Sequence, residues 1–163
     1  MSIIAIDPGN IMSGYVVLNN DLTVKEFGKI DNFELLAKIN MNSFIENYDE
    51  EYCFAIEMIA SYGMAVGQTV FDTCTWIGRF IQAWGGKYTY IYRKDEKINL
   101  CGTMKAKDTN IRQALIDRFG VVGTKKNNGF FYGFKADIWA AMAVGVTFSN
   151  LYLKEGNNGK SIQ

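Results

Sequence analysis

Histidine is absent from this chain of 163 residues. Its absence excludes Ser-His-Asp catalysis, histidine metal sites and histidine acid–base chemistry. The three cysteines, Cys53, Cys74 and Cys101, have no C-x-x-C spacing, so we expect reduced thiols rather than disulfides or zinc ligands. Any metal must therefore be held mostly by oxygen ligands, which favours hard cations such as Mg²⁺ or Mn²⁺.

Long apolar runs are also missing. No stretch reaches the ~18 residues that a membrane span needs, and the N-terminus lacks the basic and apolar regions of a signal peptide. These features predict a cytoplasmic protein. A hydrophobic content of 48% fits a single domain with a normal core. We expect that domain over residues 1–153, followed by a flexible tail at 154–163.

The net charge is zero, but the charges are unevenly distributed. Residues 1–86 carry 4 basic and 11 acidic side chains, whereas residues 87–126 carry 10 basic and 4 acidic ones. A basic segment beside an acidic cluster suits an enzyme that grips a polyanion and places a metal at its backbone. A solvated surface of mixed charge is the other interpretation of this pattern.

Two short apolar segments each end in an acid. Residues 3–6 lead to Asp7, and residues 54–56 lead to Glu57. A carboxylate at the end of a buried strand is costly unless a cation or hydrogen bonds compensate it. We therefore expect two carboxylates that converge at one edge of a sheet and hold a divalent metal.

The apolar pattern predicts alternating strands and helices. Strands are expected at about 2–7, 13–19, 23–29, 52–57 and 88–92, and helices at about 32–47, 64–84, 110–119 and 135–153. Residues 93–108 are predicted to be basic and irregular, and residues 121–134 to form a loop. The helix at 64–84 carries one apolar stripe, which either the core or a dimer interface would cover.

Three segments carry a resemblance to a known family. They are Asp7-Pro8-Gly9-Asn10 with Ser13-Gly14-Tyr15, then Ala55-Ile56-Glu57, then Lys135-Ala136-Asp137 leading into the last helix. The order βββ-α-β-α-β-α with these acids resembles the ribonuclease H-like superfamily, an α/β fold with a mixed five-stranded sheet flanked by helices. Within it, the chain resembles RuvC-type Holliday junction resolvases, and residues 57–63 look most like the phage-encoded branch.

The resemblance implies a crossover junction endodeoxyribonuclease. Such an enzyme resolves Holliday junctions and other branched DNA by paired nicks with 5′-phosphate and 3′-hydroxyl ends, in DNA recombination, DNA repair and phage DNA processing. It implies two Mg²⁺ ions per site, for which Mn²⁺ can substitute. Asp7 would bridge the ions, Glu57 would hold one and Asp137 the other. A two-fold junction also implies a homodimer, and we assign its interface to the helix at 64–84.

The basic segment supplies candidate DNA contacts. Lys97 aligns best with a functional lysine of the family and is the predicted catalytic cation, and Lys105 and Lys107 lie near the place of a second one. Tyr62 follows Glu57 by five residues, where the family carries an aromatic that stacks on bases at the branch point. The other predicted phosphate contacts are Arg93, Lys94, Arg112, Lys125 and Lys126.

The last helix departs from the family pattern D-x-x-D, which puts two carboxylates on one helical face. Here Ala140 stands where the second acid is expected. Either three carboxylates suffice in this lineage, or the chain is disabled and remains a non-catalytic branched-DNA binder.

Two other functions are compatible with parts of the pattern. An RNA–DNA hybrid ribonuclease would share the fold and metal chemistry. An actin-like ATPase would share the Asp-x-Gly turn, but it needs two such domains and a second phosphate loop.

Restoring the missing acid with Ala140→Asp tests which alternative holds. If the parent chain is disabled, only the variant will cut a four-way junction in Mg²⁺, while both proteins bind it equally. Cleavage by both would mean that three carboxylates suffice. Binding without cleavage by either protein would favour a non-catalytic binder. Cleavage of a labelled junction, measured beside a gel-shift titration, separates these outcomes.

Overall fold

A computed structural model describes residues 1–61, 63 and 65–153 of the chain. The strands are β1 (Ser2–Asp7), β2 (Met12–Asn19), β3 (Val24–Asp31), β4 (Tyr52–Met58) and β5 (Tyr88–Tyr92). The helices are α1 (Asn32–Asn40), α2 (Gln68–Trp84), α3 (Arg93–Cys101), α4 (Asp108–Phe119) and α5 (Asp137–Phe148), and a π-helical turn, Ser149–Leu153, follows α5.

The five strands form one mixed sheet in the order β3-β2-β1-β4-β5. β1 and β2 are antiparallel, as are β2 and β3, whereas β4 runs parallel to β1 and β5 parallel to β4. Helices cover both faces of this sheet. The predicted ribonuclease H-like architecture is therefore confirmed, including the meander of three strands at its start.

The two faces of the sheet build two cores, because side chains alternate along each strand. Ile3 and Ala5 of β1 belong to the cluster that contains α5, whereas Ile4 and Ile6 belong to the cluster beneath α1 and α2. β1 is thus buried on both sides. The continuous apolar run before Asp7 follows from this burial.

Helix α5 lies against the centre of the sheet, and its composition explains that position. Ten of its twelve residues are buried. The two that are not are Asp137 and Ala140, three residues apart on the same side of the helix. The helix is therefore almost wholly apolar and buried except on the side of Asp137 and Ala140, which indicates a functional site on that side.

The prediction that residues 93–108 are irregular is wrong, because α3 occupies Arg93–Cys101. This helix has no apolar stripe, and Glu96 is its one buried residue. The backbone N–H of Tyr92 donates to the Asp95 carboxylate, which caps the first turn. The cap and an ion pair therefore fix the start of the helix, and its last two residues pack against the cluster that contains α5.

Other helix boundaries also differ from the prediction. α1 ends at Asn40 rather than near residue 47, and Asn42 follows with a φ of +52°. α2 begins at Gln68, and α5 begins at Asp137. None of the helices in the described part of the chain is long and apolar enough to cross a membrane. The predicted tail at 154–163 lies outside the described residues.

Candidate active site

One row of residues crosses the sheet where β1 and β4 end. Asp7 of β1 pairs with Gly14 of β2, and Gly14 pairs with Lys29 of β3. On the other side, the parallel pairing of β1 with β4 places Glu57 beside Asp7. Neighbouring strands lie ~4.8 Å apart. The row therefore brings two carboxyl groups together, with an ammonium group two strands away.

Gly14 leaves room above this row for the start of α5. A methyl group added at Gly14 would lie 2.4 Å from the main-chain oxygen of Asp137, a distance that no folded chain tolerates. The residue before Asp137, Ala136, has a φ of +36°, in the region that favours glycine. The close contact of Gly14 with the main chain of Asp137, together with the strained backbone of Ala136, thus fixes Asp137 above the row of paired residues.

The Asp137 carboxylate pairs with a lysine that was not among the predicted site residues. Lys29 Nζ lies 2.6 Å from Asp137 Oδ2, and about a third of each side chain is exposed, 37% and 34%. The contact depends on the pairing of β3 with β2, and no short sequence motif predicts that pairing. Lys29 is therefore a cation of the site that sequence reasoning missed.

Asp7 and Glu57 are close enough to share a hydrogen bond. Burial, followed by the charge of Glu57 and that hydrogen bond, raises the pKa of Asp7 from 3.8 to about 9. Without a cation, the pair therefore retains a proton at neutral pH. Two half-buried carboxyl groups this close together form a site that a divalent cation would stabilise.

A second buried acid stands close behind this pair. Glu96 is fully buried, and its Oε2 accepts from Arg93 at 2.5 Å, while Oε1 has no hydrogen-bond partner in the described part of the molecule. Burial, reinforced by Glu57, raises the pKa of Glu96 to about 9 against the opposing charge of Arg93. Arg93 also pairs with Asp108 at the start of α4.

These groups open onto a cleft of about 560 Å³. Its lining comprises Asp7, Glu57, Arg93, Asp108, Thr109, Ile111, Arg112, Ala136, Asp137, Trp139 and Ala140. Five of the predicted site residues, both arginines and all three acids, therefore share one cleft with Ala140. The Arg112 guanidinium carbon lies 4.6 Å from the centre of the Trp139 ring, which positions this cation at the cleft.

The remaining predicted contacts lie outside that lining. Lys94 and Lys97 belong to α3, where Lys97 is half-buried and Lys94 exposed. Lys105 and Lys107 are exposed between α3 and α4, and Lys125 and Lys126 are exposed beyond α4. Tyr62 lies outside the described residues. The roles of these residues in DNA binding stay predictions.

The donor atoms present fit one hard divalent cation better than two. Asp7 and Glu57 offer carboxylate oxygens, the ligands that Mg²⁺ and Mn²⁺ prefer. In the described ranges, no three acidic or thiol side chains stand close enough together to hold a metal ion. The third acid, Asp137, pairs with Lys29 instead, and Ala140 has no oxygen to offer.

Comparison with known proteins agrees with the architecture. No family model matches the sequence, and none of the curated proteins matches it. A solved structure of Thermus thermophilus RuvC in complex with a Holliday junction substrate has a TM-score of 0.67 and 14% identity, covering 96% of both chains. A second Thermus thermophilus RuvC structure has a TM-score of 0.64 and 16% identity, covering 96% of this chain and 97% of that one.

At these identities the likeness shows the fold alone. The chain has a ribonuclease H-like fold. More narrowly, it has the fold of Thermus thermophilus RuvC.

Replacing Asp7 with asparagine should stabilise the metal-free protein. An acid whose pKa is raised on folding binds its proton more tightly in the folded state, so stability falls as pH rises from 3.8 to about 9. Asp7→Asn should flatten that fall and raise Tm at neutral pH by roughly 2–4 °C for each ~1 kcal/mol relieved. It should also abolish stabilisation by Mg²⁺.

Thermal unfolding with and without Mg²⁺, across this pH range, measures both effects. Asp49→Asn is the matched control, because it removes the same charge at an exposed position. An Asp7→Asn protein with the parent's pH profile and the parent's response to Mg²⁺ would contradict the assignment of a cation site.

Proposed function

We propose that the protein is a divalent-metal-dependent endodeoxyribonuclease that cuts Holliday junctions and other branched DNA. The observation that carries the proposal is the side-by-side placement of Asp7 and Glu57 beneath Asp137, in a cleft that also holds Arg112. The fold shared with RuvC supports the choice of substrate. The proposed setting is DNA recombination, DNA repair and phage DNA processing in the bacterial cytoplasm, for which the resemblance at 57–63 is the support.

The chemistry requires positive charge at a phosphodiester, because its own charge repels a nucleophile. A Mg²⁺ or Mn²⁺ ion held by Asp7 and Glu57 would lower the pKa of water and withdraw charge from the phosphate. The oxygen of water adds to phosphorus, the bond to the 3′-oxygen breaks, and that oxygen takes up a proton. The products are a 5′-phosphate and a 3′-hydroxyl. Arg112 in the cleft is placed to bind the phosphate oxygens.

The exposed basic residues on and beside α3 and α4 support the proposed binding of the DNA backbone. Lys94, Lys105, Lys107, Arg112, Lys125 and Lys126 are exposed on or beside α3 and α4. In the proposal they contact phosphates, Lys97 serves as a catalytic cation, and Tyr62 stacks on a base at the branch. Arg93 is already paired with Glu96 and Asp108, so we expect it to position the cleft as well as to attract DNA.

Two symmetric nicks require two active sites, so we propose a homodimer with α2 at its interface. Ile77 of α2 is only 1% exposed and packs inside its own subunit. Cys74 and Ile81 are half-buried. Phe71, which is 56% exposed on α2, is the better candidate for contact with a second subunit.

The dimer proposal predicts that Phe71→Glu will dissociate the protein, because the substitution places a charge in an apolar contact. Sedimentation velocity should show a monomer, whereas the circular dichroism spectrum and Tm should stay close to the parent's. Met41→Glu, at a site 74% exposed beyond α1, is the matched control and should leave the dimer intact. A Phe71→Glu dimer would remove this face of α2 from consideration.

A non-catalytic branched-DNA binder is the second candidate, and Ala140 favours it. It would keep the basic residues around α3 and α4 and lose the metal chemistry. An RNA–DNA hybrid ribonuclease remains the third. Substrate choice and metal dependence separate all three.

The nuclease proposal predicts cleavage of a labelled four-way junction in Mg²⁺ or Mn²⁺, but not of a linear duplex or an RNA–DNA hybrid with the same sequence. DNA ligase should reseal the nicked products, because they carry a 5′-phosphate and a 3′-hydroxyl. Asp7→Asn and Glu57→Gln should each slow single-turnover cleavage by at least ~10²-fold, while a gel-shift titration shows junction binding like the parent's.

Asp49→Asn again serves as the charge-matched control and should cut at the parent's rate. Junction binding by the parent without cleavage in either metal would favour the non-catalytic binder. Preferential cleavage of the hybrid would favour the ribonuclease, and neither binding nor cleavage would end the proposal.

A further inference from the structure

Lys29 is held at the site by the sheet itself. Its strand partner is Gly14, the residue over which Asp137 lies, and its Nζ is 2.6 Å from Asp137 Oδ2. Lys29 shares a face of the sheet with Phe27, which packs against the α5 cluster. The pairing of β3 with β2 therefore positions Lys29 beside Asp137.

The surroundings of Asp137 are poor in ligands for a metal ion. Asp137 and Ala140 are the two residues of α5 that are not buried, and both line the cleft. Ala140 offers a methyl group. Asp137 is thus the one acid of this helix, and its charge is already balanced by Lys29. The opposite side of the row is different, since Asp7 and Glu57 form no ion pair in the described part of the chain, although, against the effect of burial, the charge of Glu57 helps to raise the pKa of Arg93.

We propose that the Lys29 ammonium occupies the place of a second metal ion, so that one divalent ion at Asp7 and Glu57 acts together with Lys29 on the scissile phosphate. The inference rests on the proposed nuclease function. Its ammonium group pairs with the Asp137 carboxylate and in this proposal offers N–H donors to a phosphate oxygen, where its charge stabilises the transition state.

The accessibility of the pair agrees with this role. Lys29 is 37% exposed, and its ammonium group contacts the carboxylate of Asp137, which lines the cleft. An ion pair this exposed adds little to folding stability. A substitution at Lys29 should therefore act on chemistry with little effect on Tm, which makes the proposal testable on a folded protein.

The first experiment counts metal ions by titrating Mn²⁺ into the protein and following its electron paramagnetic resonance signal. We expect one bound ion per subunit in the parent chain and one in Lys29→Met, bound at least as tightly. The double variant Lys29→Met/Ala140→Asp should bind two, because it frees Asp137 and adds an acid one turn away. Two ions in the parent would overturn the proposal, whatever the protein cuts.

The second experiment measures single-turnover junction cleavage at saturating Mn²⁺. Lys29→Met should be slower by ~10²–10³-fold, the range for loss of one group that stabilises a transition-state charge. Lys29→Arg should recover part of the rate, since it keeps the charge. Lys25→Met is the matched control: it removes the same charge from the same strand, on the other face of the sheet, where Lys25 pairs with Glu50 at 3.0 Å, and it should cut like the parent.

The two possible failures can be told apart. A parent that cuts the junction, with Lys29→Met cutting equally fast, would overturn the role of Lys29 and leave the nuclease standing. A parent that cuts no branched DNA would overturn the nuclease and, with it, the action of Lys29 on a phosphate. In that case the ion count would still test whether Asp7 and Glu57 form a single-ion site.

Discussion

The repulsion between two half-buried carboxyl groups is the interaction on which this site depends. Asp7 and Glu57 end adjacent parallel strands, and burial together with their mutual charge raises the pKa of Asp7 to about 9. A fold gains no stability from such a pair, and proteins retain such features where function needs them. A bound cation would turn the same repulsion into affinity, because each carboxylate becomes a ligand.

The rest of the architecture serves to bring a third acid over that pair. α5 is nearly all apolar and is buried against the sheet, so its position is fixed by the core rather than by the site. Gly14 lets the helix approach, and Ala136 takes a strained conformation just before Asp137. The start of the helix then contacts Lys29, so that the cleft contains the carboxyl groups of Asp7 and Glu57 together with an Asp137 carboxylate that is paired with Lys29.

Much of this site could be predicted from sequence, because Asp7 and Glu57 each follow an apolar strand and the resemblance to RuvC-type resolvases indicated Asp137. The pairing of Lys29 with Asp137 could not, since it depends on the register between β2 and β3. That register shifts at Val17/Leu18, and a slip of one residue would turn Lys29 to the other face. Helix α3 escaped prediction because Glu96, its buried residue, is an acid rather than part of an apolar stripe.

Anomalous diffraction from crystals grown with Mn²⁺ is the measurement that tests the central claim most directly, because it locates the metal independently of activity. We predict one strong peak per subunit between the carboxyl groups of Asp7 and Glu57, with the Lys29 ammonium still at Asp137. A second peak bound by Asp137, with Lys29 turned away, would contradict the single-ion site. No peak at Asp7 and Glu57 would contradict the metal site itself.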